Sequence, residues 1–321
     1  MDMEGQAGDS SSIAGVNLGG APRSRGRGFF VGGNGEIRPG WRIVLFLAIF
    51  AALGAAVHFT THAIPAMRAW EKSLPKDSFV PSMLIVGEGL TLFVLLLSAL
   101  IMTKIEKKTF RDYGLPLREA FGKRFWQGAV FGFAMLSVLM GLIGALHGFT
   151  LGGWALRGGD ALRYGLLYGI GFILVGLFEE FSFRGYLQAT LGASISFWPA
   201  AIVLSILFGA IHLKNTGEAV SGAVMAGSFG ILAAFALKRM GNIWFPIGMH
   251  AAFDWGETYL YSVSDSGITA HGHLLNSSFH GPRWLTGGSV GPEGTVLAMV
   301  VLLLAGVAMH FLFPAKDAVG G

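Results

Sequence analysis

The chain has 321 residues, of which 53% are hydrophobic and only 13% charged, and its mean hydropathy is +0.59. Soluble domains carry about 25% charged residues, so this composition points to a membrane protein. There is no cysteine, which excludes disulfides and thiolate metal sites, and the modest net charge of +4 fits a basic bias in membrane loops and tails rather than a nucleic-acid partner.

Residues 1–38 are rich in Gly, Ser and Arg, with GDSSSIAG followed by RSRGRG, and no apolar run follows a basic start as in a signal peptide. They read as a disordered cytoplasmic tail. From 39 to 315 the expectation is a single transmembrane helical domain. Apolar runs recur near 41–60, 82–103, 126–148, 164–190, 198–214, 219–237, 242–261 and 295–313. Each approaches the ~20 residues that span a bilayer. The fold class expected is all-α, a polytopic membrane bundle of about eight transmembrane helices.

Lys and Arg set the orientation. Arg23, Arg25, Arg27, Arg38 and Arg42 precede or open the first run, seven basic residues lie between Lys104 and Arg124, and Lys238 and Arg239 follow the sixth run. The alternate loops are poorer in Lys and Arg, so both termini are expected on the cytoplasmic side of a plasma membrane. The loop 262–294 holds three of the nine histidines and reads as solvated, with GGSVGPEG at 287–294 as a flexible linker.

Ionisable groups at membrane depth cost at least ~2.5–3.5 kcal/mol each on insertion scales, which makes each a functional candidate. After fifteen uncharged residues, Tyr164 to Phe178, the chain reads GLFEEFSFRG. Glu180 and Arg184 are i,i+4 and share a helix face, so they are expected to pair. Glu179 is rotated about 100° away and is left over for water or a metal. In LFGAIHL, Phe208 and His212 are one turn apart; in GMHAAFD, so are His250 and Asp254, the spacing of a carboxylate-oriented imidazole. Glu88 is a further isolated charge, expected to make a structural hydrogen bond, and Glu257 is expected at the interface. A set of Glu, two His and Asp suits activation of water, either by the carboxylate and imidazole alone or on a zinc ion held by Glu179, His212 and His250. No H-E-x-x-H motif is present. Convergence of these groups from helices of different depth calls for a water-filled cavity.

In this order, EEFSFR at 179–184, FGAIH at 208–212 and HAAFD at 250–254 resemble the E-E-x-x-x-R, F-x-x-x-H and H-x-x-x-N/D motifs of the CAAX protease and bacteriocin-processing family of intramembrane proteases. The resemblance covers residues 164–265. It implies an intramembrane endopeptidase acting on a peptide or protein substrate at the bilayer. Glu179 would activate water, His212 would assist, and His250 and Asp254 would occupy the oxyanion-stabilising positions. Glu180, Arg184 and Phe208 would support them. Metal-free catalysis and a zinc cofactor both remain compatible. Asp254 departs from the Asn of the prenyl endopeptidase pattern, though Asp occurs in the bacterial branch. An ionised Asp only accepts hydrogen bonds, so an orienting role toward His250 is favoured. The alternative is a non-catalytic membrane scaffold or immunity protein of the same fold. A proton-coupled transporter is disfavoured, since no internal repeat is visible.

Overall fold

The computed structural model describes residues 28–32, 35–75, 78–215, 217 and 219–314. Most of the expected disordered tail, RSRGRG included up to Arg27, lies outside the described residues. Where the chain becomes described it doubles back: Val31 bridges Ile37, and Trp41 Nε1 donates to the Phe29 carbonyl at 3.1 Å.

Every expected apolar run is helical. The helices are α1 (Pro39–Ala63), α3 (Pro81–Glu106), α4 (Lys123–Ala145), α5 (Gly158–Ile195), α6 (Phe197–His212), α7 (Val220–Met240), α8 (Trp244–Trp255) and α9 (Val296–Leu312), with a short α2 (Pro65–Ser73) after the first. Prolines 39, 65 and 81 open α1, α2 and α3, where a missing N–H costs nothing. Five helices, α1, α3, α4, α5 and α7, are long and apolar enough to cross a membrane. α6 with 16 residues and α9 with 17 are shorter, and α8 has 12 before it widens. The protein is thus an integral membrane helical bundle in which some helices fall short of the length the sequence suggested.

Three helices widen into a π turn: α3 at Leu84–Glu88, α5 at Phe181–Leu187 and α8 at Gly256–Leu260. Such turns interrupt the i→i−4 ladder and occur frequently at functional sites. Each lies at or just beyond one of the carboxylates that stand out in the sequence.

α8 is the central element and packs most extensively on α4. The approach is so close that glycine is required on both helices. A Cβ on Gly128 would fall 2.0 Å from the Phe245 carbonyl oxygen, one on Gly132 2.0 Å from that of Met249, and one on Gly248 2.0 Å from that of Phe125. In lipid, helices associate through such close packing rather than through a hydrophobic drive, so small residues hold this interface together. Leu136, Leu139 and Ile143 of α4 with Phe245 and Met249 of α8 then fill the core that α7 and α9 close.

The segment after α8 is not a solvated loop. Thr269–Ala270 (β3) pairs in parallel with Ser78–Phe79 (β1), and Ser278–Phe279 (β4) pairs antiparallel with Phe149–Thr150 (β2). The buried Tyr168 hydroxyl lies 2.5 Å from the His271 carbonyl and 3.0 Å from that of Phe79, pinning β1 and β3 to α5. The expected linker 287–294 is packed as well: Gly287 and Gly291 take positive φ, and a Cβ on Gly291 would meet the Ser264 carbonyl at 2.1 Å.

Gly132→Val is expected to lower the unfolding temperature in detergent by an amount equivalent to at least the ~1–3 kcal/mol of ordinary overpacking. Gly141→Val on the same helix, where no atom lies within 4 Å of the new Cβ, should leave that temperature nearly unchanged.

Candidate active site

The site is assembled around one buried carboxylate. Glu180 ends the regular part of α5, and its side chain is 0% exposed. Arg184, one turn on, donates from Nη1 to Glu180 Oε1 at 3.2 Å, which is the expected pair. The guanidinium also lies 4.3 Å from the centre of the Phe208 ring, so the aromatic of the second motif backs the arginine of the first. A charge in so dry a place is tolerable only with such partners.

Glu180 does more than hold Arg184. His250 of α8 donates from Nδ1 to the same Glu180 oxygen at 2.8 Å. The sequence reading has Asp254 orient the imidazole and does not include this second carboxylate. Asp254 instead stands near the other nitrogen, with Oδ2 3.4 Å from Nε2. Glu179 approaches the same Nε2 at 3.6 Å through Oε2, an oxygen that accepts no hydrogen bond from the described residues. The adjacent glutamates separate as the helix geometry requires: Glu180 is fully buried and accepts from Arg184 and His250 through Oε1, its Oε2 having no hydrogen-bond partner among the described residues, whereas the Glu179 side chain is 21% exposed and lines the cavity.

His212 is the last residue of α6, and its Nδ1–H donates to the Phe208 carbonyl at 2.7 Å. That bond settles the tautomer of a neutral ring and leaves Nε2 as an acceptor. The difference in depth between His212 and Glu179 disappears because α6 is short and stops at the level of the site.

A cavity of about 190 Å³ joins these groups. Glu179, His212, His250 and Asp254 all line it, as anticipated, together with aromatic side chains such as Phe172, Phe208 and Phe229. Five further polar lining residues were not anticipated, among them Asn215 just beyond α6. Glu88 reaches it from α3, and Asp265, Ser266 and Glu293 reach it from the segment after α8. Glu293 accepts from the Ser266 amide and hydroxyl, each at 3.0 Å, which fixes this segment against the cavity. Glu257 is fully buried rather than interfacial, and its neighbour Thr258 donates to Asp265 at 2.9 Å. Burial, with the nearby Asp254 carboxylate, holds the Asp265 carboxyl well above its usual range. No local sequence signal distinguishes Asp265 and Glu293 from solvated loop acids. Glu88, isolated in an apolar run, did carry one.

Zinc ligands must converge within bonding distance of a single ion. Among the described residues, the group of three whose ligand atoms all lie within 4.8 Å of one another is Glu257, Asp265 and Glu293. Glu179, His212 and His250 share the cavity but are spread more widely, so they do not form the closed three-residue clamp that the zinc alternative requires.

The bundle and cavity define a membrane protein with a polar, partly enclosed site between its helices. Residues 161–256 match the family described as type II CAAX prenyl endopeptidase Rce1-like, which bears out the resemblance read from the three motifs. No curated protein and no solved structure matches the chain.

Arg184→Ala leaves Glu180 buried with one partner fewer and is expected to cost about 3–5 kcal/mol of stability. Glu180→Gln combined with Arg184→Met removes both charges and should recover most of that loss in detergent unfolding, because Gln still accepts from His250.

Proposed function

We propose that this protein is an intramembrane endopeptidase that hydrolyses a peptide bond with water activated by Glu179. The observation that carries this reading is the division of labour between adjacent glutamates. Glu180 is fully buried and holds Arg184 and His250 through Oε1, whereas Glu179 is partly exposed and lines the cavity with Oε2 3.6 Å from His250 Nε2.

The steps follow from these placements. Glu179 accepts a proton from a water molecule, which is also within reach of the His212 Nε2 acceptor. The water oxygen adds to the substrate carbonyl carbon, and negative charge moves to the carbonyl oxygen. As an imidazolium, His250 donates from Nδ1 to Glu180 and carries an Nε2–H that donates to that carbonyl oxygen, while the nearby Asp254 carboxylate, 3.4 Å from Nε2, favours this charged form. Glu179 then returns its proton to the amide nitrogen as the C–N bond breaks. The products are a carboxylic acid and an amine, and Glu179 is again a carboxylate. No step requires a metal ion.

With the arginine-rich N-terminal segment and the 104–124 loop placed in the cytoplasm, β1, His212 and the segment after α8 all come from the opposite side. The cavity then faces the non-cytoplasmic half of the bilayer, and the substrate is a peptide or protein segment reaching that surface.

Glu179→Gln keeps the size of the side chain but removes the base. It is expected to lower the cleavage of a quenched peptide library by about 10²–10⁴-fold while the unfolding temperature in detergent stays close to wild type. A chelator should leave wild-type cleavage intact; its loss, restored by added zinc, would reinstate a metal mechanism. Equal cleavage by Glu179→Gln and wild type would overturn the assignment of the base. A partner-dependent function that survives Glu179→Gln in cells would favour the scaffold alternative.

A further inference from the structure

The cavity wall is more acidic than hydrolysis requires. Five carboxylates line it, Glu88, Glu179, Asp254, Asp265 and Glu293, against the imidazoles of His212 and His250, and among the described residues no lysine or arginine lines it. This is not inherited from composition, because the chain as a whole carries a net charge of +4. Nor does it belong to the three motifs: Glu88, Asp265 and Glu293 all lie outside the matched stretch 161–256. They arrive from two separate parts of the chain, one through the π turn Leu84–Glu88 and the other through the packed segment after α8.

The remainder of the wall is apolar, with the rings of Phe79, Phe172, Phe208, Phe229 and Phe253. A volume of about 190 Å³ is small beside the ~300–1,000 Å³ of ordinary small-molecule sites, and suits one side chain next to the scissile bond. A lysine or arginine side chain matches all of these properties at once. Its methylene stem buries against apolar surface while its head stays with polar partners, and the aromatic faces attract the cation. A low-dielectric cleft lined by one sign of charge also concentrates ligands of the opposite sign.

We propose that the cavity selects a substrate residue with a cationic side chain, and that Glu88, Asp265 and Glu293 are its specificity-determining residues. This rests on the protease reading of the same cavity and adds a substrate class to it. Glu179 carries the chemistry, and the three additional carboxylates choose what is placed beside it.

The test uses the full-length protein in detergent and one quenched peptide scaffold in which a single position is Lys, Arg, norleucine or Glu, moved along the scaffold. At one position Lys or Arg is expected to raise kcat/KM about tenfold over norleucine, with Glu below norleucine. Glu88→Gln and Glu293→Gln should each shrink the Lys-to-norleucine ratio several-fold. Glu293→Gln keeps the test open if Glu88→Gln does not fold. Equal rates at every position, or a ratio that neither variant changes, would overturn the proposal. A parallel arm measures binding of the same peptides, fluorescently labelled, to Glu179→Gln. If wild type cuts nothing but the Lys peptide binds more tightly than the norleucine peptide, and Glu293→Gln abolishes the difference, charge selection stands and the hydrolytic reading falls. No cleavage and no binding preference would overturn both.

Discussion

The site depends on the node in which Glu180 is shared by Arg184 and His250. It ties two turns of α5 to α8 through a fully buried oxygen, and the Phe208 ring closes it from α6. In a low-dielectric interior an unpaired charge is so costly that the three helices have few other ways to meet. The node therefore sets the rotation of α5, and that rotation decides which neighbouring glutamate faces the cavity. A helix advances about 100° per residue: once Glu180 is committed inward, Glu179 is displaced toward the open space.

Around that node the bundle is held by closeness rather than by charge. Gly128 and Gly132 on α4 and Gly248 on α8 allow two backbones to touch. Gly248 lies two residues before His250, so the contact that packs the helices also places the imidazole. The π turns contribute a complementary effect. By widening α3, α5 and α8 close to Glu88, Glu180 and Asp254, they shift the register of the next helical turn and let side chains from different depths reach one cavity.

Much of this was legible in the primary structure, for identifiable reasons. The hydrophobic runs located every major helix to within a few residues, except that α5 extends to 158 and 195 where 164–190 was read. The i,i+4 spacing anticipated the Glu180–Arg184 pair, because helix geometry converts spacing into a shared face. It did not anticipate that His250 also binds Glu180, since that contact joins residues seventy apart. The segment 262–294 was misread for a related reason. Its Gly, Ser and His content resembles a solvated loop, but β1, β2 and Tyr168 supply partners that lie far away in sequence.

By itself the sequence determined the membrane class, the helical architecture and the family likeness of the three motifs, because each rests on local composition or on spacing within one helix. The tertiary structure alone decided that α6 ends at the depth of Glu179, that Glu180 rather than Asp254 holds Nδ1 of His250, and that Glu88, Asp265 and Glu293 join the cavity wall. These are relations between elements distant in the chain. They depend on how closely helices approach and on which buried charges find partners, and neither quantity is written in any short stretch of residues.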